Sequence, residues 1–314
     1  MAEAAVLFEE IPAVSGKIGR ITLNVPGTLN SLTLEMVDLL QARLDQWRDD
    51  GDIAVVYVQG SGEKAFCAGG DVQALHESAV ATPGGPCDYA EAFFTREYRM
   101  NYTLHTYPKP IICWGHGIVM GGGLGVMAGC SHRLVTEKTR IAMPEVTIAL
   151  FPDVGGSWFL NHMPGKSGQF LALTGASINA ADAIYTGLAD RFISSERKEE
   201  VLQQLLRQAW DGDEHNNHAR VRSILRPFAE QSVPQCPGGQ VEPHLGSINK
   251  LCDGDDVHEV IDNIVSQQTK DPWLSKARDS LAQGSPLAAL WIFRQLLETR
   301  HASLKEVFQS EILL

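Results

Sequence analysis

The first half of the chain alternates between two patterns of hydrophobic and polar positions. Short apolar runs rich in β-branched residues predict buried strands over residues 18–25, 53–58, 110–114 and 132–136. Between the first two runs, apolar residues recur every three or four positions and predict a helix over residues 33–47. Its apolar face carries Met36, Leu40, Leu44 and Trp47. Further helices are predicted over residues 88–105 and 124–128, and strands that alternate with helices predict an α/β fold.

The composition changes after Ile193, where a charged segment over residues 194–200 begins. The residues beyond it have a helical pattern, apart from a linker that contains Pro and Gly at residues 234–239. We therefore predict a core domain over residues 1–195 and a mainly helical C-terminal region over residues 196–314. One face of the last predicted helix carries Leu304, Val307, Phe308 and Ile312.

Length and charge exclude several classes of protein. A chain of 314 residues that is 44% hydrophobic is long enough to bury a large core. Its net charge of -12 argues against nucleic acid or an anionic membrane surface as the main partner, because both bind a basic face. No apolar run reaches the ~20 residues of a membrane span, and the acidic N-terminus does not resemble a signal peptide. We therefore expect a cytoplasmic protein.

The cysteines and histidines show no metal-ligand spacing. The cysteines lack a C-x-x-C pair, and a chain of this length does not need disulfides to hold its core together. We therefore expect reduced thiols and no metal site. The cysteines concerned are Cys67, Cys87, Cys113, Cys130, Cys236 and Cys252.

Two carboxylates stand out in the segment from Met143 to Gly156, which is otherwise apolar and stiffened by proline. Glu145 and Asp153 lie among side chains that would desolvate them, and desolvating an ionised group is costly. Such carboxylates are often functional. Taken alone, Glu145 fits the start of a helix and Asp153 fits a helix N-cap, so the pair needs support from other segments.

That support comes from two glycine-rich turns upstream. Residues 68–71 (Ala-Gly-Gly-Asp) and 121–123 (Gly-Gly-Gly) each follow an apolar run. Glycines are most often ordinary turn residues, but here their bare backbone N–H groups are able to converge on one substrate oxygen. The order of the two turns and the carboxylate segment in one chain favours acyl chemistry.

The same segments resemble the crotonase superfamily, also called the enoyl-CoA hydratase/isomerase superfamily. The resemblance rests on residues 64–71, 116–125 and 145–160, and it is strong from about Val25 to Ile193. Within the superfamily, residues 145–153, 155–160 and 171–175 are most similar to the 3-hydroxyisobutyryl-CoA hydrolases. The resemblance implies a spiral of ββα turns followed by a C-terminal helical region. It also implies an acyl-CoA substrate and a homo-oligomer, either a trimer or a hexamer as in related crotonases.

The resemblance also implies roles for individual residues. The backbone N–H groups of Gly70 and Gly122 match the two donors of the family's oxyanion hole. Glu145 matches a catalytic residue that attacks the thioester or activates water, and Asp153 would position that water or bind the substrate hydroxyl. Further contacts to substrate are expected at Glu97, Ala68, Asp71 and Gly121. The resemblance implies no metal or redox cofactor. CoA is part of the substrate.

Position 125 separates the branches of the superfamily. Hydratases carry one glutamate just after the triple glycine and a second in the segment of Glu145, whereas this chain has Gly125 at the first position. Asp153 supplies a carboxylate that the hydratases lack. The pattern favours hydrolysis of a short branched 3-hydroxyacyl-CoA, as in valine breakdown. Two alternatives stay open: an enoyl-CoA hydratase or isomerase, and an acyl-CoA-binding protein with impaired catalysis.

Overall fold

A computed structural model describes residues 4–313, and its strands form two sheets. The larger sheet has the strand order β1-β2-β3-β5-β7-β9 and the smaller sheet has the order β4-β6-β8. β1 and β2 are antiparallel, and every other pair is parallel. The strands are β1 (Val6–Pro12), β2 (Lys17–Leu23), β3 (Ile53–Gly60), β4 (Ala65–Cys67), β5 (Ile111–Gly115), β6 (Ile118–Met120), β7 (His132–Val135), β8 (Arg140–Ala142) and β9 (Arg191–Phe192).

Helices follow the strands and then make up the C-terminal third of the chain. They are α1 (Leu34–Asp49), α2 (Val72–Ala81), α3 (Asp88–His105), α4 (Gly122–Gly129), α5 (Gly156–Asn161), α6 (Ser167–Thr174), α7 (Ala180–Tyr185), α8 (Lys198–Leu206), α9 (Glu214–Ser232), α10 (Val241–Leu251), α11 (Val257–Ser266), α12 (Pro272–Gln283), α13 (Pro286–Glu298) and α14 (Leu304–Glu311). Short 3-10 helices lie at Pro26–Thr28, Glu145–Ile148, Ser195–Arg197 and Val233–Gln235. None of the helices described between residues 4 and 313 is long and apolar enough to cross a bilayer.

Successive turns of the chain add one strand to each sheet. The pairs β3 and β4, β5 and β6, and β7 and β8 each place their first strand in the larger sheet and their second in the smaller one. Helices follow each pair, α2 and α3 after the first and α4 after the second. The prediction of an α/β spiral of ββα turns with C-terminal helices is therefore confirmed.

The larger sheet is covered on both faces because successive side chains of a strand point in opposite directions. In β3, Val56 and Val58 face the main core, while Val55 and Tyr57 face a second cluster. α1 contributes to the main core, and α8 and α9 contribute to the second cluster. The predicted helix over residues 33–47 is α1, whose N-cap Thr33 accepts a hydrogen bond from the Met36 N–H at 3.2 Å.

The C-terminal helices pack onto the spiral. α10, α12 and α13 contact α6, and α14 contacts both α3 and α5. Side chains from before and after residue 195 share the main core, for example Phe170 and Phe293. The division of the chain at residue 195 stays a prediction. The contact of α14 with α3 and α5 brings the last described helix next to the candidate site.

Candidate active site

The two predicted glycine turns lie side by side at the carboxyl ends of neighbouring strands. β4 and β6 are parallel, with Cys67 paired to Val119, so the turns that follow them meet at one edge of the smaller sheet. A β-carbon built on Gly122 would lie 3.4 Å from the Gly70 nitrogen. A β-carbon built on Gly69, whose φ is +112°, would lie 3.8 Å from the Gly122 nitrogen. The two segments therefore lie side by side, so that a side chain on either glycine would contact the backbone of the other segment.

The Gly70 and Gly122 N–H groups are unengaged, although neighbouring N–H groups are used. Ala68 donates to the Leu29 carbonyl at 3.1 Å, and Asp71 donates to the Leu32 carbonyl at 2.9 Å. Consider the backbone hydrogen bonds of residues 4–313 that lie outside regular helices and strands. In none of them is the Gly70 or Gly122 N–H the donor. Gly122 is the first residue of α4, where helical N–H groups have no partner within the helix and carry partial positive charge. Two neighbouring segments thus each carry an N–H group without a backbone acceptor among these bonds, and their role as a shared oxyanion hole stays a prediction.

Two buried glutamates face the glycine turns. Glu97 lies on α3 and Glu145 begins the short 3-10 helix after β8, and they are 2% and 6% exposed. A β-carbon on Gly121 would lie 3.0 Å from Glu145 Oε1, and one on Gly122 would collide with Glu97 Oε1. Within the described chain, Glu97 Oε1 and Glu145 Oε2 have no hydrogen-bond partner. Glycine at both positions leaves room for the carboxyl groups.

Asp153 joins these glutamates from a strained turn. Its Oδ2 accepts a hydrogen bond from the Tyr98 hydroxyl at 2.8 Å. Val154 and Gly155 follow with φ of +52° and +83°, a left-handed conformation that is unusual for a β-branched residue. α5 begins at Gly156, and its N-cap is Gly155 rather than Asp153. Asp153 therefore does not serve as the helix N-cap that the sequence pattern also allowed.

Burial raises the pKa values of the three carboxyl groups. The pKa of Glu97 and that of Glu145 lie well above the ordinary value, first because of burial and then because Asp153 repels their charged forms. Burial also raises the pKa of Asp153, to about 6, while the hydrogen bond from Tyr98 acts in the opposite direction. The site therefore binds protons more readily than exposed carboxylates do.

The remaining predicted contacts lie on the outer side of Gly70. The Asp71 side chain caps α2 by accepting a hydrogen bond from the Ala74 N–H at 3.1 Å. Asp71 and Gly70 line a surface cavity of about 560 Å³, and Ala68 is half-buried beside them. The structure thus gives Asp71 a capping role, and its role in substrate binding stays a prediction, as does that of Ala68.

No carboxylate projects from position 125, one turn of α4 beyond Gly122. A β-carbon on Gly125 would lie 3.2 Å from Asn101 Nδ2. Asn101 is fully buried, and neither polar atom of its side chain has a hydrogen-bond partner in the described part of the chain. Burying an amide without hydrogen-bond partners is costly, and this one lies beside position 125.

Two residues of the site were not predicted. Neither Tyr98 nor Glu311 belongs to the motifs that predicted the other site residues. The signal for Glu311 lies in the helical period, because it follows Phe308 by three positions and Val307 by four. A glutamate on the apolar face of a helix is unusual, and Glu311 is 2% exposed.

The cysteines of the described residues are free thiols in the structure. Cys67 is fully buried next to the Gly69–Gly70 turn, and burial raises its pKa to about 12. It is therefore an unreactive packing residue at neutral pH. Among residues 4–313, no group of three or more His, Cys, Asp or Glu side chains is arranged to hold a metal ion.

The chain is a spiral of ββα turns in which two unengaged N–H groups lie next to buried carboxyl groups. By the resemblance of its motifs, this is the architecture of crotonase-type acyl-CoA enzymes. The model of the family described as enoyl-CoA hydratase/isomerase matches residues 18–314, and the chain belongs to this family. It is a crotonase-family enzyme that binds acyl-CoA.

Relatives with high sequence similarity are named as hydrolases. The chain is 38% identical over 311 residues to the mitochondrial 3-hydroxyisobutyryl-CoA hydrolase of Danio rerio, and the alignment covers 99% of this chain and 78% of that protein. The Homo sapiens protein of the same name is 35% identical over 297 residues, which covers 94% of this chain and 74% of the relative.

Two crystal structures are similar over nearly the whole chain. A carnitinyl-CoA dehydratase from Mycobacterium thermoresistibile has a TM-score of 0.85 at 34% identity, covering 99% of this chain and 84% of its own. An enoyl-CoA hydratase from Rhodobacter sphaeroides 2.4.1 has a TM-score of 0.82 at 32% identity, covering 98% of this chain and 83% of its own.

Proposed function

We propose that this enzyme hydrolyses the thioester of a short branched 3-hydroxyacyl-CoA of the 3-hydroxyisobutyryl-CoA type, releasing CoA and the hydroxy acid. The observation that carries the proposal is the pair of unengaged N–H groups at Gly70 and Gly122 beside the buried carboxyl group of Glu145. The names of the Danio rerio and Homo sapiens relatives support the same reaction. We further propose that the reaction serves valine breakdown.

The two N–H groups stabilise the charge that develops during the reaction. Attack on the thioester carbonyl moves negative charge onto its oxygen, and donors fixed in advance stabilise that oxyanion without reorganisation. The Gly122 N–H adds the partial positive charge at the start of α4. Removing one donor of this kind lowers kcat by about 10²- to 10³-fold in known enzymes.

Glu145 supplies either the nucleophile or the general base. In the first route, a Glu145 oxygen bonds to the carbonyl carbon, the C–S bond breaks to release CoA, and water then hydrolyses the acyl anhydride. In the second route, Glu145 removes a proton from the water that attacks the carbonyl directly. A single turnover in ¹⁸O-water detects the first route when water attacks the Glu145 carbon of the anhydride, because label then enters the Glu145 carboxyl group, which the second route never labels.

The other carboxyl groups recognise the acyl part. Asp153, held by Tyr98, binds the 3-hydroxyl group or orients the attacking water. Glu97 contacts the acyl end beside the Gly122 N–H. Gly121, Ala68 and Asp71 line the approach of the CoA chain.

Enoyl-CoA hydration or dehydration is the second candidate. It is favoured by the names of the two solved structures, a carnitinyl-CoA dehydratase and an enoyl-CoA hydratase. Hydration needs one group to activate water and another to protonate the α-carbon. Gly125 leaves Glu145 without the partner that hydratases place at that position, so we favour hydrolysis.

Thiol release over a panel of acyl-CoAs tests the proposal. We expect release from 3-hydroxyisobutyryl-CoA to exceed release from isobutyryl-CoA, and hydration of crotonyl-CoA to be slow. Loss of release in Glu145→Gln assigns the activity to this site. Rapid hydration without thiol release would favour the second candidate. Tight binding of every acyl-CoA without turnover would indicate a binding protein instead.

A homo-oligomer and a cytoplasmic location stay predictions. The named relatives from Danio rerio and Homo sapiens are mitochondrial proteins. Light scattering on the purified protein measures the oligomeric state, and fractionation of the source cells measures the compartment.

A further inference from the structure

Glu311, at the end of α14, makes hydrogen bonds that lead directly to the turn of Asp153. Its Oε2 accepts the Gly155 N–H at 2.7 Å. Its Oε1 accepts both the Ser157 N–H at 3.1 Å and the Ser157 hydroxyl at 2.9 Å. Glu311 is 2% exposed, and a carboxyl group is rarely buried to this extent without a specific set of partners. Glu311 therefore ties α14 to the segment that follows Asp153.

The turn that Glu311 binds does not have an ordinary backbone conformation. Val154 is fully buried with a φ of +52°, and Gly155 follows with a φ of +83°. Inside the turn, the Gly156 N–H donates to the Asp153 carbonyl at 2.6 Å. The Phe308 ring of α14 packs so closely on Gly155 that a β-carbon there would lie 3.0 Å from it. A conformation of this kind persists where surrounding contacts hold it, and α14 supplies those contacts.

Asp153 is thus held at two ends by two different helices. Tyr98 of α3 donates to its carboxyl group at 2.8 Å, and Glu311 of α14 holds the backbone two and four residues further on. Tyr98 and Phe308 also pack against each other, with ring centroids 6.2 Å apart. The direction of the Asp153 carboxyl group therefore depends on both anchors.

We infer that Glu311 is a positioning residue, which acts through the Asp153–Ser157 turn to hold the Asp153 carboxyl group toward Glu97, Glu145 and the substrate. The inference rests on the proposed function, in which Asp153 orients water or binds the substrate hydroxyl. α14 is then part of the active-site support, although none of its side chains needs to touch the reacting atoms.

A double-mutant cycle on kcat and KM tests this role. Glu311→Gln keeps the size of the side chain but replaces one carboxylate oxygen by an amide NH₂ group. This donor then faces a backbone N–H group, which loses its acceptor. We expect kcat for thiol release to fall about tenfold or more with KM changed less than about threefold. In an Asp153→Asn background, the same change should lower kcat less than about twofold, because it acts through Asp153. The control is Glu306→Gln, which weakens the capping box at the exposed start of the same helix but leaves the bonds from Gly155 and Ser157 to Glu311 in place.

Additive effects on kcat in the cycle, or a fall in melting temperature with no change in kcat, would overturn the inference. Ser157→Ala provides a milder variant, since it removes the hydroxyl bond to Glu311 and keeps the two backbone bonds. It carries the same cycle if Glu311→Gln does not fold, and a smaller loss of kcat in the same direction is expected.

A binding measurement separates failure of this inference from failure of the proposed function. If the wild type releases no thiol, the proposed function fails, and calorimetry with two stable thioether ligands still tests Glu311. The two ligands are S-(3-hydroxy-2-methylpropyl)-CoA and S-(2-methylpropyl)-CoA. We expect the preference for the hydroxylated ligand to shrink in Glu311→Gln but not in Glu306→Gln. An unchanged preference in Glu311→Gln, where Asp153→Asn reduces it, would overturn the positioning role.

Discussion

Val154 occupies the space that a side chain at position 125 would need. A β-carbon built on Gly125 would lie 2.5 Å from Val154 Cβ and 2.7 Å from its Cγ2. Val154 is fully buried and has left-handed backbone geometry, directly after Asp153. The absence of a side chain at position 125 and the position of Asp153 therefore depend on the same packing of Val154 against Gly125. A hydratase-like glutamate at 125 and the present turn exclude each other.

The first prediction concerns this exclusion. Gly125→Glu should lower the free energy of unfolding by several kcal/mol, because it overpacks a buried position and buries a charge. Val154→Gly removes the colliding side chain, and glycine tolerates the φ of +52°. The double variant Gly125→Glu/Val154→Gly should therefore be more stable than Gly125→Glu alone in a denaturant titration. Equal stability of the single and double variants would contradict this account of position 125.

The second prediction concerns Glu145. Glu145→Gln should lower thiol release by about 10²- to 10⁴-fold, since a positioned general base contributes that much, and by more if Glu145 is the nucleophile. The melting temperature should not fall, because the substitution replaces a buried carboxyl group by a neutral group of the same size. Glu298→Gln, on the exposed face of α13, is the matched control. Turnover near the wild-type rate would remove Glu145 from the mechanism.

The third prediction concerns Tyr98 and the pH dependence of catalysis. Tyr98→Phe removes the hydrogen bond that lowers the pKa of Asp153, so this pKa should rise above about 6. If ionised Asp153 is required, the acidic limb of the pH profile of kcat moves to higher pH. Tyr102→Phe, one turn further along α3, should leave the limb in place. An unmoved limb in Tyr98→Phe would show that Asp153 ionisation does not control the rate.

The fourth prediction concerns stability against pH. The pKa of Asp153 is about 6 in the folded protein, above its ordinary value of 3.8. The folded state therefore keeps this proton to a higher pH than the unfolded state does. The stabilisation is complete below pH of about 4 and is lost as the pH rises through about 6. Asp153→Asn should therefore gain in melting temperature relative to wild type across that interval. A constant difference between pH 4 and pH 7 would contradict the raised pKa.

The fifth prediction separates the space at Gly122 from its N–H. Gly122→Ala keeps the N–H but places a methyl group against Glu97 Oε1, so both kcat and the position of Glu97 should change. Gly122→Pro adds the loss of the donor, at a helix start where proline is tolerated. We expect kcat of Gly122→Pro to be lower than that of Gly122→Ala by about 10²-fold or more.

A control and a contrary outcome complete this comparison. Gly246→Ala, in open space on α10, should leave kcat unchanged and stabilise the helix by about 0.5–1 kcal/mol. Equal kcat in folded Gly122→Ala and Gly122→Pro would show that the Gly122 N–H does not stabilise the reaction.

The sequence by itself determined the elements and the segments that meet at the site. The spacing of apolar residues located α1, β3, β5 and α3 to within about two residues, because burial of one face requires that spacing. The glycine turns and Glu145 were identifiable from their motifs, since their chemistry depends on residue type and local backbone. The ββα spiral came from the resemblance of those motifs.

Only the tertiary structure decided how these groups are held. The unengaged N–H groups of Gly70 and Gly122 become adjacent because β4 and β6 are neighbours in a sheet, and no local pattern encodes that pairing. The bonds of Glu311 to Gly155 and Ser157 span more than 150 residues along the chain. The raised pKa values have the same origin, because burial and repulsion depend on which distant groups the fold packs around a carboxyl group.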